Sequence, residues 1–126
     1  MLRAGLILAS LLGTGSGDAA TVCVVRPEDN GAINIRPVRV IAVASGRQDE
    51  RLVASVNGGE TVCASLAPGD WLFEARSAHP YDPTKTRPDE CRSKPLRRYL
   101  RAGEQARIRV TPSSRGSEYV CGWRLR

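Results

Sequence analysis

Apolar and polar positions alternate in short bursts along most of this chain, and turn residues separate the bursts. That period-two pattern predicts half-buried β-strands rather than helices. The first burst is 21–26, closed by Pro27 and the turn Glu28-Asp29-Asn30-Gly31. Strand composition resumes at Ile33, Ile35, Val38, Val40 and Val43, with Pro37 at a bulge or edge. Residues 51–56 follow a polar turn and end at Asn57-Gly58-Gly59, a strong short-range signal for a hairpin. In 60–66 the inward set is Val62, Ala64 and Leu66; in 71–76 it is Trp71, Phe73 and Ala75, after the turn Ala67-Pro68-Gly69-Asp70. Later bursts are 96–100, 105–110 (Ala106, Ile108 and Val110 in, Arg107 and Arg109 out) and 118–125 (Tyr119, Cys121, Trp123 and Leu125 on one face). No stretch has helical amphipathicity. The expected fold is all-β, a single small β-sandwich of about seven antiparallel strands.

Two segments break this rhythm. Residues 77–95, SAHPYDPTKTRPDECRSKP, hold four prolines and almost no apolar side chain, and are expected to form one long charged loop. At the other extreme, the first twenty residues carry Arg3, an apolar run from Leu6 to Leu12, and small residues up to Ala19-Ala20. This is the pattern of a secretory signal peptide. The expected division is signal peptide 1–19 and β-sandwich domain 20–126. The apolar run falls short of the roughly 20 residues a membrane-spanning helix needs, so no transmembrane segment is expected in the mature chain. The expected location is therefore periplasmic or secreted.

The cysteines fit that compartment. Cys23, Cys63, Cys91 and Cys121 form an even set in a small domain, with no CxxC and a single histidine, His79, in the whole chain. Two disulfides are expected and no metal or other cofactor. Three pairings are open to four cysteines; the one expected is Cys23–Cys63 with Cys91–Cys121, which pins the charged loop to the last strand.

Composition narrows the chemistry further. At 126 residues, one modest core is affordable, and a cofactor domain plus a substrate domain is excluded. Nineteen basic residues, seventeen of them Arg, against thirteen acids give a net charge of +6. Arg92, Lys94, Arg97, Arg98, Arg101, Arg107 and Arg109 fall within eighteen residues, opposed by Glu104, and Arg124 and Arg126 lie nearby in sequence. If Arg107 and Arg109 share an outward face with Arg97, they form a positive stripe suited to lipopolysaccharide phosphates, anionic glycan or an acidic protein. Nucleic acid is not expected as a partner, because six aromatic residues offer little stacking surface. The long loop, with His79 and Tyr81, is the other candidate binding element, since loops on rigid scaffolds commonly carry recognition. The candidate binding residues are thus His79, Tyr81, Arg92, Lys94, Arg97, Arg98, Arg107 and Arg109. No catalytic residue is expected: the adjacent acid pairs lie in turns, and no phosphate-binding glycine loop exists.

The turns carry a resemblance. An opening strand ending in Arg-Pro (TVCVVRP), then Leu66-Ala67-Pro68-Gly69-Asp70-Trp71, then Leu100-Arg101-Ala102-Gly103-Glu104 before Ile108-Arg109-Val110, resembles the small exported bacterial β-sandwich domains of the DUF2846 and PEGA type. Those have a prealbumin-like sandwich. The resemblance spans about 21–125 and implies a non-enzymatic cell-envelope domain. The 77–95 loop and the arginine-rich face then lead to the expectation that it binds an unknown protein or an anionic envelope polymer. A periplasmic inhibitor or immunity-type protein is the alternative; a small hydrolase using His79 and Tyr81 is a more distant one.

Overall fold

The computed structural model describes residues 18–28, 37–77, 91–113 and 122–126. Nine strands are present among them and no helix: β1 (Ala20–Val25), β2 (Val38–Ala44), β3 (Glu50–Val56), β4 (Thr61–Leu66), β5 (Gly69–Ser77), β6 (Cys91–Arg92), β7 (Leu96–Leu100), β8 (Gln105–Pro112) and β9 (Trp123–Leu125). They form two sheets. One has the order β4-β1-β8-β9; the other has the order β3-β2-β5-β6, with β7 also on β5. The expected sandwich is therefore present, with more and shorter strands than the seven anticipated. One pair also departs from the antiparallel expectation: β1 and β8 run parallel. The reason lies in how β8 enters. Thr21 N–H donates to Glu104 O at 2.8 Å and Gly103 N–H to Asp18 O at 3.2 Å, so both strands start at the same end of the sheet.

Two tight turns carry the chain from one sheet to the other. Asn57-Gly58-Gly59-Glu60 was expected to close a hairpin, but β3 and β4 lie in different sheets. Glu60 N–H donates to Asn57 O, and the Glu60 carboxylate accepts Asn57 N–H at 2.7 Å and the Asn57 side-chain amide at 3.2 Å. Gly59 N–H then donates to Arg26 O, and Arg26 N–H to Glu60 O, which fastens the new strand to β1 instead of β3. Arg101-Ala102-Gly103-Glu104 repeats the device between β7 and β8. Glu104 N–H donates to Arg101 O and Glu104 Oε1 accepts Arg101 N–H at 2.8 Å. Both turns place glycine at the third position with positive φ, +83° at Gly59 and +73° at Gly103, where a side chain is disfavoured.

Alternation puts Val22, Val24, Ala106, Ile108 and Val110 of one sheet against Val38, Val40, Ala42, Phe73, Ala75 and Leu100 of the other, all buried. Leu66, Trp71 and Trp123 complete the core. The inward residues on β4, β5 and β8 are those the sequence pattern selects. On β3 the parity is broken by a bulge against Val40/Ile41, so neighbouring Val53 and Ala54 are both buried.

The boundaries of the long loop contract. Ser77 pairs with Cys91 and Arg76 with Arg92, so Ser77, Cys91 and Arg92 belong to strands rather than to the loop. Likewise Thr111 and Pro112, beyond the 105–110 burst, continue β8 opposite Arg124 and Trp123. The leader up to residue 17, the strand start at 33–36, the loop interior 78–90 and the 118–121 part of the last strand lie outside the described residues. No described helix is long and apolar enough to cross a membrane.

One bridge of the expected pair joins Cys23 on β1 to Cys63 on β4. Cys91 is disulfide-bonded as well, and fully buried. Cys121, its expected partner, lies outside the described residues.

Candidate functional site

β6 and β7 run along one edge of β5 as a single interrupted strand. Ser93 continues the ladder: its N–H donates to Ala75 O at 3.0 Å, and its Oγ accepts Ala75 N–H at 2.8 Å. Pro95 has no N–H to offer, and pairing resumes one residue out of step at Leu96–Phe73. Lys94 and Pro95 thus form a bulge. Ser93 also bridges in parallel to Trp123, which brings β9 of the opposite sheet alongside. The result is an open cleft of about 440 Å³ lined by Arg92, Lys94, Pro95, Ser113, Gly122, Trp123, Arg124 and Leu125. Three of these are cationic and none is acidic. A bulge that redirects a side chain beside a cleft is a recurrent device at binding sites.

The cleft floor is rigid. Trp123 is buried; its indole N–H donates to Ser77 Oγ at 2.8 Å, and the Arg26 guanidinium lies 4.9 Å from its ring centroid. Arg26 is only 2 % exposed and donates from Nη1 to Val56 O at 3.0 Å. It therefore ties the ends of β1 and β3 to the start of β9. Arg26 shares the inward parity of Val22 and Val24, but the unbroken apolar run from Val22 to Val25 hides that parity, and the charge of Arg26 argues for the surface.

From the cleft a row of arginines runs over the outer face of the other sheet. Arg39 is paired with Arg76 across β2 and β5, and Arg76 with Arg92 across β5 and β6. Arg76 is held by Glu50, through Nη1 at 3.0 Å, and by Glu74, whose Oε1 accepts from Nε at 2.7 Å. Hydrogen bonds from Arg76, aided by the charges of Arg76, Arg92 and Arg39, hold the Glu50 carboxyl below its ordinary value. The same contacts push the Arg76 guanidinium further up.

The structure separates the expected stripe. Arg97 and Arg98 lie on β7, in the sheet of β5, whereas Arg107 and Arg109 lie on β8 in the other sheet. Arg97 points outward and is paired with Asp70, whose carboxyl its hydrogen bonds hold down. Arg98 has the inward parity of Leu96 and Leu100, and its Nη1 donates across the gap between sheets to Arg107 O at 3.2 Å. An arginine so placed discourages a further strand from adding to either edge. Of the expected residues, Arg92 and Lys94 meet at the cleft, and Arg124 joins them. Arg39 and Arg76 enter the row unforeseen, because their alignment depends on cross-strand register, which sequence alone does not give. His79 and Tyr81 lie outside the described residues.

In comparisons with known proteins, no family model, no curated protein and no solved structure matches this chain.

Proposed function

We propose that this is an exported, non-enzymatic β-sandwich domain that binds an anionic envelope component, a phosphorylated or acidic glycan, through the Arg92–Lys94–Arg124 cleft. One observation carries the proposal: the cleft beside the Lys94-Pro95 bulge presents three cations and no acid among its described lining residues. Cations gathered on a rigid, concave surface raise the local concentration of an anionic ligand and orient it. The arginine row Arg39–Arg76–Arg92 extends that field along the sheet, with Glu50 and Glu74 tempering it at Arg76. The Cys23–Cys63 disulfide supports an oxidising, extracytoplasmic compartment. In this account the leader 1–19 is removed, Cys91 pairs with Cys121, and the domain is related to the DUF2846 and PEGA type.

The test is retention on an immobilised phosphorylated glycan over a salt gradient. The double variant Lys94→Ala/Arg124→Ala elutes at clearly lower salt than the parent, while Arg47→Ala, in the exposed turn after β2 beside the Asp70 end of β5, elutes with it. Equal retention of all three, or an equal shift for Arg47→Ala, would mean that net charge and not the cleft governs binding.

A further inference from the structure

The outer face of the four-stranded sheet carries a different chemistry. Cys23 and Cys63 stand directly opposite each other on β1 and β4, with Cα atoms 3.9 Å apart. Arg26 N–H donates to Glu60 O, and the alternation of an antiparallel ladder then assigns 24/62 to a hydrogen-bonded pair and 23/63 to a non-hydrogen-bonded one. The bridge is a covalent rung added to a ladder that already pairs all six residues of β1 with β4. Opening it leaves that ladder in place.

The two sulfurs differ in access. Cys63 is exposed, and among the described residues β4 is the outermost strand of its sheet, with none paired beyond it. Cys23 is 4 % exposed on a central strand, and its Sγ accepts from the Gln105 side-chain amide at 3.7 Å. Exchange requires the incoming thiolate to approach in line with the bond it breaks. In-line approach to Cys63 comes from the open side of β4. In-line approach to Cys23 comes from β8, where Gln105 sits and where Arg107 stands in register with Cys23. Those two side chains also suit a sulfur that departs with negative charge: one offers an N–H, the other a positive charge on the same outward face. Cys91, by contrast, is fully buried.

We propose that the Cys23–Cys63 bridge is a thiol–disulfide exchange site for a dithiol reductant, attacked at Cys63 and releasing Cys23. The reductant's first thiolate forms a bond to Cys63 Sγ as the Cys23–Cys63 bond breaks, and the electron pair of that bond leaves on Cys23. Its second thiolate then attacks its own first sulfur and frees Cys63. The dithiol ends as a disulfide, oxidised by two electrons, and its two protons end on Cys23 and Cys63.

The oxidised protein is treated with dithiothreitol without denaturant, quenched with iodoacetamide and mapped by peptide mass spectrometry, with circular dichroism recorded in parallel. Cys23 and Cys63 become alkylated together while Cys91 stays unlabelled and the β-sheet spectrum is unchanged. Labelling of Cys91 at the same rate, or no labelling of Cys63 until the spectrum collapses, would overturn the proposal. Direction of attack is read from single variants. The Cys63 thiol of Cys23→Ser reacts with an aromatic disulfide at least about tenfold faster than the Cys23 thiol of Cys63→Ser. Equal or reversed rates would remove the assigned order. Gln105→Leu slows reduction of the intact bridge if the amide assists departure, and an unchanged rate would strip it of that role.

Discussion

Replacing Arg26 by alanine probes the seam that holds the cleft floor. The guanidinium lies 4.9 Å from the Trp123 ring centroid and donates to Val56 O at 3.0 Å, all in a site where the residue is 2 % exposed. A desolvated cation–π contact contributes about 2 kcal/mol. A charged hydrogen bond adds about 1.5–3 kcal/mol, and its loss leaves the Val56 carbonyl without that donor. Together the substitution should cost about 3–5 kcal/mol, a large part of the about 5–15 kcal/mol typical of a whole domain. With a urea slope of about 1.5 kcal/mol per molar, the unfolding midpoint falls by about 2–3 M at unchanged slope. Arg26→Met restores the apolar stem over the indole and should recover part of the loss, whereas Arg26→Lys keeps the charge without the planar fork and should fall between. The assay is equilibrium urea unfolding followed by tryptophan fluorescence. A loss under about 1 kcal/mol for alanine would show that Arg26 is a passenger at the seam, because that is the scale of an ordinary surface substitution.

Other consequences are smaller and independent. Arg76→Met removes the hydrogen bonds that depress the Glu50 carboxyl, so an NMR titration should show Glu50 rising toward its ordinary value; Arg97→Gln should do the same for Asp70. The sign follows from the depression: each carboxylate favours the fold above its unfolded-state pKa, and that contribution fades as pH falls through the lower folded-state value. An unmoved Glu50 titration in Arg76→Met would deny the ion pair a role. Gly103→Ala meets no neighbouring atom but demands φ of +73° from a residue with a Cβ, so thermal unfolding should report a loss of about 1 kcal/mol. A neutral Gly103→Ala would mean that the Arg101–Glu104 turn relaxes without penalty.

Strand positions were legible wherever one face is buried and the other wet. In β5 and β8 the alternation of Trp71, Phe73 and Ala75, and of Ala106, Ile108 and Val110, leaves one solution for which side faces in. Sheet membership was not legible, because it depends on what pairs with what. Asn57-Gly58 has hairpin chemistry, yet the Glu60 carboxylate and the backbone of Arg26 direct the chain into the opposite sheet. The same limit undid the stripe: Arg97 and Arg107 are ten residues apart and both outward, but a corner turn sends them to different faces of the molecule. The cleft was half visible, since Arg92 and Lys94 stood out by charge. That Pro95 would create a bulge there, and that Trp123 would carry Arg124 alongside through a bridge to Ser93, required the fold.

The most direct test of the binding account is an amide NMR titration of the labelled domain with a soluble phosphorylated glycan. Shifts should concentrate at Arg92, Lys94, Gly122 and Arg124, weaken as salt rises, and fade in Lys94→Ala/Arg124→Ala. Shifts centred instead on Gln105, Arg107 and Arg109, or spread evenly over every exposed arginine, would contradict the assignment of the cleft as the ligand site.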